Sequence, residues 1–131
     1  PRRTIYVKQF RNTNETFLHA FDAGSGLKSI AVRNTTTTPT QSLLLINGEY
    51  ALTRADQLAD RLLATSFKDT ASLITFVVRL TWGRDPQPAE ATRCATFLGA
   101  TMQDSPAKLS RLLLTDLCHI LFNANEFLYL E

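Results

Sequence analysis

No segment of this 131-residue chain supplies the roughly 20 consecutive apolar residues that a bilayer-spanning helix needs. Neither a phosphate-cradling P-loop nor a dinucleotide-binding fingerprint occurs. Gly24-Ser25-Gly26 lacks the strand–elbow–helix setting of a nucleophilic serine. Metal ligation fares no better, because two cysteines and two histidines are present without a close Cys-x-x-Cys or His-x-x-x-His pair to gather them. Cys118-His119 ends like a haem-attachment motif, but Thr115 stands where the earlier cysteine belongs. There is no internal repeat and no signal peptide. Pro1 follows no initiator methionine, however, so the chain reads as a piece of something longer.

What is present is ordinary globular composition, 44% hydrophobic and 20% charged, at a length suited to one domain. The net charge of +2 is unevenly spread. Residues 1–38 carry six basic side chains against Glu15 and Asp22, whereas the remainder carries eight basic and ten acidic ones. A basic arm beside a mildly acidic body suits pairing within the chain or with another domain. Arg2, Arg3, Tyr6, Phe10, Arg11 and Asn12 mix basic and aromatic residues as single-strand nucleic-acid grooves do. The region is brief and lacks an RNA-binding signature, so no nucleic-acid partner is expected.

Along the chain, RRTIYVKQF predicts a short extended segment and TFLHAFDA a helical turn or two. Thr38-Pro39-Thr40-Gln41 has the form of a capping box with proline at the first helical position. The apolar SLLLIN that follows predicts a buried helix, broken at Asn47-Gly48. Leu52, Ala55, Leu58, Ala59, Leu62 and Leu63 fall at amphipathic helical spacing. Asp69 or Thr70 caps a nearly all-apolar helix that Gly83 ends. Pro88 opens another, with Ala91, Cys94, Ala95, Phe97, Leu98 and Met102 inward. The last helix is expected to start at Asp104-Ser105-Pro106, with Leu109, Leu112, Leu113, Leu117, Ile120 and Leu121 inward. The tail 123–131 is expected to run extended. The fold class is therefore mostly α: a single bundle-like domain of about five main helices, with 1–38 an extended basic arm and loop and 39–131 the helical core.

Cys94 and Cys118 lie twelve residues either side of Pro106, which in an antiparallel helix hairpin sets them at similar height. A disulfide and two buried free thiols both remain open. His19 with Asp22, and Asp116 with His119, stand one helical turn apart. A carboxylate can orient an imidazole for catalysis, but such pairs also decorate ordinary helix surfaces. Asp116 falls on the stripe of Leu112, Leu113 and Ile120, where a carboxylate needs a partner. Arg79 or an arginine of the arm is expected to supply it.

The blocks PRRTIYVKQFRN, FLHAFDA, TTTTPTQSLLLINGEY, RLTWGRDPQPAE and DLCHILFNANEFLYL, in this order, resemble a carboxy-terminal domain of unknown function. That domain belongs to large planctomycete proteins, which often also carry a cytochrome-c-like domain. Ser42 and Gly24-Ser25-Gly26 depart from its pattern on a helix face and in a loop. The resemblance implies an exported setting and no cofactor in this domain, since any haem belongs to another domain of the parent. It supplies no catalytic residues. The polar positions at the block ends are Arg3, Asn12, Asp22, Arg33, Thr38, Gln41, Asn47, Asn123, Asn125 and Glu126. They read as caps, corners and ion pairs, or else as a shared binding groove holding Arg3, Asn12, Asp22, Arg33, Asn123, Asn125 and Glu126. The expected role is a non-catalytic structural or interaction domain whose partners are the other domains of its parent, with polysaccharide or another protein as further candidates. The alternative is part of an enzyme acting on polysaccharide or another extracellular substrate, with Asp22, Asp116, Glu126 and His119 as acid/base groups.

Overall fold

The structure is a computed structural model that describes Tyr6, Leu18 and residues 20–22, 38–106 and 109–129. The chain is mostly helical, and among the described residues there is no strand. Among the described residues there are five helices of nine residues or more: α1 (Pro39–Asn47), α2 (Glu49–Ala64), α3 (Thr70–Trp82), α4 (Pro88–Phe97) and α5 (Arg111–Phe122). A single helical turn, α6 (Asn125–Leu128), follows. The chain divides into two compact units, Pro1–Leu45 and Ile46–Glu131.

In the first unit the capping box forms as the sequence predicts. The Gln41 amide N–H approaches Thr38 Oγ1 at 3.4 Å, and the Thr38 N–H donates to Gln41 Oε1 at 3.2 Å. Gln41 also donates from Nε2 to the Ala20 carbonyl at 2.9 Å. The expected burial of α1 does not occur: none of its residues is buried, and Leu43 and Ile46 are exposed. The extended segment expected near the amino end lies outside the described residues apart from Tyr6, where the backbone makes a 3₁₀ turn instead.

In the second unit α2 and α5 form the most extensive helix pair, running antiparallel. The core is built from Ala55, Leu58, Ala59 and Leu62 of α2 with Leu73, Ile74, Val77 and Val78 of α3. Ala91 and Ala95 of α4, with Leu98 just past its end, close it on one side, and Leu114, Leu117, Cys118 and Leu121 of α5 on another. Helix α3 contributes from two adjacent rows, at i, i+1, i+4 and i+5, which places it centrally.

Helix ends are settled by local chemistry. Asp69 accepts the Ser72 N–H at 2.8 Å, and the Asp69 N–H reaches the Ser72 hydroxyl at 3.3 Å. The next two donors of α3 go to the loop before α5: Thr70 N–H to the Asp104 carbonyl and Ala71 N–H to that of Met102. The buried Thr70 hydroxyl donates to the same Asp104 carbonyl. This fastens the start of α3 to a loop more than thirty residues away. Gly83 stops α3 at φ 73°, a left-handed conformation that glycine adopts without a Cβ clash.

The last helix begins at Arg111, not at Pro106. Its inward face also differs from the one expected. Leu114, Leu117, Cys118 and Leu121 are buried, whereas Leu112 is 69% and Ile120 52% exposed. Leu52, Leu63 and Phe97, expected inward on their helices, are likewise exposed, and so is Leu80 of α3. The tail makes the turn of α6 before becoming extended at Tyr129. No helix among the described residues is long and apolar enough to cross a membrane.

Candidate functional site: the Arg84 junction

Two of the sequence blocks singled out above meet at one side chain. The TWGRDPQPAE block places Arg84 just past the left-handed Gly83, so its guanidinium turns back over the Trp82 ring at 5.2 Å. From there it holds two carboxylates in forked geometry. Nη1 and Nη2 reach Glu90 at 2.8 and 2.9 Å, while Nε and Nη2 reach Glu126 at 2.5 and 2.8 Å. Bidentate pairing of this sort suits the planar guanidinium and not an ammonium.

Each partner is itself positioned. Glu90 is the third residue of α4 and accepts the Gln87 N–H at 2.7 Å, completing a capping box around Pro88. Glu126 sits on α6, whose Phe127 ring packs on Phe122 at 5.0 Å. The Trp82 indole N–H donates to the Leu121 carbonyl at 3.2 Å, tying the end of α3 to the end of α5. Arg84 thus links the α3–α4 corner to the carboxy-terminal turn.

The electrostatics follow from the geometry. Hydrogen bonds from Arg84, and then the Gln87 N–H, hold Glu90 down at about 2. Hydrogen bonding from Arg84 also lowers Glu126, and Arg84 in turn is raised by both carboxylates. A general acid working near neutral pH needs the opposite shift. The pair around Arg84 is charged and mutually satisfied, which is the chemistry of a fastening.

A second arginine does the same between α2 and α5. Arg111 reaches Asp60 at 2.7 Å and Asp56 at 2.8 Å, and Thr115 donates to Asp56 at 3.3 Å. Arg79 pairs with Asp85 across the α3–α4 corner. The partnership expected between Asp116 and Arg79 is therefore not made: Asp116 faces solvent on α5.

The sequence-predicted residues are distributed as follows. Arg3, Asn12 and Arg33 lie outside the described residues. Asp22 belongs to the first unit, at a left-handed φ of 56°. Asn123 ends α5, its side-chain amide donating to the His119 carbonyl at 2.9 Å. Asn125 is exposed, and its carbonyl accepts the Tyr129 N–H. Of the tail trio, Glu126 joins the Arg84 junction. Sequence reasoning missed Arg84 and Glu90, although Gln87-Pro88-Ala89-Glu90 carried a readable capping signal three residues beyond the arginine.

Cys94 and Cys118 are free thiols, half-buried and buried. Burial pushes the Cys118 thiol up to about 12 and raises that of Cys94, so neither is an activated nucleophile. Among the described residues no three His, Cys, Asp or Glu side chains are grouped to hold a metal ion. A hollow of about 240 Å³ at the α2–α3 corner is lined by Leu62, Phe67, Leu73, Ser66, Ser105 and Pro106 among others, without a titratable group among its described lining.

No curated protein and no solved structure matches the chain significantly. A family model does, across residues 1–98, which takes in the caps of α1, α3 and α4 and the Arg84–Glu90 half of the junction. On that match the chain belongs to the PSD1 family, proteins of unknown function (DUF1553).

Proposed function

We propose that this chain is a non-catalytic interaction domain of a larger exported protein, of the planctomycete type that also carries a cytochrome-c-like domain. It docks to other domains of that parent through apolar helix faces and needs no cofactor of its own. The observation that carries the reading is the outer face of α5, where Leu112 and Ile120 are 69% and 52% exposed either side of the exposed Asp116. Residues at i and i+8 share one helix face. These large exposed aliphatic side chains are read as part of a surface that another domain covers. The parent's setting rests on the sequence blocks quoted above.

The polysaccharide-cleaving alternative draws no support from Glu126, which Arg84 engages and holds ionised.

The test uses the parent protein with Leu112→Asp and Ile120→Asp introduced together. Association of this domain with the rest of the parent, read by cross-linking and by protection from proteolysis, is expected to be lost. Helical circular dichroism and melting temperature are expected to hold, because neither side chain belongs to the core. Undiminished association, or collapse of the fold itself, would refute the docking reading.

A further inference from the structure

We propose that α6 is a releasable strap, held by Arg84, that opens independently of the helical body and is governed by charge. Helix α6 is four residues long and contains no buried residue. A helix this short has no stability of its own, since nucleation costs more than one turn returns. Two of its side chains fasten it to the rest of the domain. Glu126 binds Arg84 with its side chain 42% exposed, and Phe127 lies on Phe122.

The helical body is held differently. Its elements meet through fully buried aliphatic side chains, and Arg84 retains Glu90, 21% exposed, whether or not Glu126 is bound. Glu90 and its capping box belong to the body, whereas Glu126 belongs to the strap. The arginine is therefore a fixed anchor with one permanent and one exchangeable carboxylate. Local openings of this kind arise where few buried contacts and exposed ion pairs coincide. Release removes the carboxylate that steadies the guanidinium over Trp82, and it lifts Phe127 from Phe122. Trp82 and Phe122, both packed partly against the core, then lose cover. The sensitivity to charge follows because the Arg84–Glu126 contact is open to ions on one side.

The experiment is hydrogen exchange by NMR on the full chain, with Trp82 as its single tryptophan reporter. Glu126→Gln is expected to speed exchange at the Phe127, Leu128 and Tyr129 amides and the Trp82 indole N–H about two- to fivefold, the range set by an ion pair of this exposure. Exchange at Leu62 and Leu114 is expected to stay unchanged. Phe127→Ala, which leaves every charge in place, should release the same set. In the unaltered chain, raising salt to about 1 M, where the screening length falls to about 3 Å, should reproduce the Glu126→Gln pattern. If the strap and core amides accelerate together, or if none of the three perturbations moves the strap, the proposal is overturned.

Discussion

The face that α5 turns to the core can be tested by two alanine substitutions one step apart on the same helix. Leu114 is wholly inaccessible, and Leu112, two residues earlier, is 69% exposed. Removing the Leu114 side chain deletes buried carbon and leaves a cavity between α5 and its neighbours, at about 2–5 kcal/mol. Leu112→Ala removes carbon already in water, and alanine favours the helix slightly, so its effect stays within about 0.5 kcal/mol. The difference between the two is therefore about 2–5 kcal/mol, a melting-temperature gap on the order of 10 °C in a chain of this size. Urea unfolding followed by circular dichroism measures both, and unchanged slopes would show that midpoint shifts report stability. Equal losses, or a larger loss at Leu112, would mean that the helix is rotated from the orientation described, and the docking face would then be misassigned too.

Helix caps and carboxylates give two further expectations. Thr38→Ala and Asp69→Ala each remove an N-cap acceptor and should lower stability by about 1 kcal/mol, read by urea unfolding; a loss below a few tenths would discount the boxes. The acid limb of stability is set by the paired carboxylates. Glu90 at about 2 against its ordinary 4.5, with Glu126, Asp85, Asp60 and Asp69 also lowered, bind protons more weakly folded than unfolded. Their contribution is complete above the ordinary values and is lost as pH falls through the folded ones. The urea midpoint should therefore stay flat above about pH 5 and fall from about 4.5 toward 2, and a decline beginning near neutrality would implicate a histidine instead.

The sequence announced its helices wherever backbone chemistry was local. The Thr38–Gln41 box, the Asp69 cap, the Pro88 start and the left-handed Gly83 all act within four residues, so single-chain reading reaches them. The orientation of α5 was harder, because RLLLTDLCHILF is apolar almost all the way round and several stripes fit it equally well. The deciding residue was Asp116. Placing it inward required a buried carboxylate with an unproven partner, and the cost of that burial should have pointed Leu112 and Ile120 outward with it. The Arg84 junction was legible only in halves. Its capping half lies within seven residues, while Glu126 is forty-two residues from Arg84 and is brought there by the packing of α5.

That packing also bears on what membership of the family conveys. The matched residues 1–98 include α1 to α4 but stop before α5. Yet Leu114, Leu117 and Leu121 of α5 are at most 2% exposed and close the core against α2, α3 and α4. Burying three leucines contributes about 5–9 kcal/mol, as much as the whole net stability of many domains. The folding unit must therefore reach well beyond the segment that matches. The exposed face of Leu112 and Ile120 lies in this outer portion too, as does the strap residue Glu126. Likeness over residues 1–98 thus covers α1 to α4 and the Arg84–Glu90 pair, and it leaves α5 and Glu126 outside. The proposed docking face and the proposed strap both lie in the remainder of the chain.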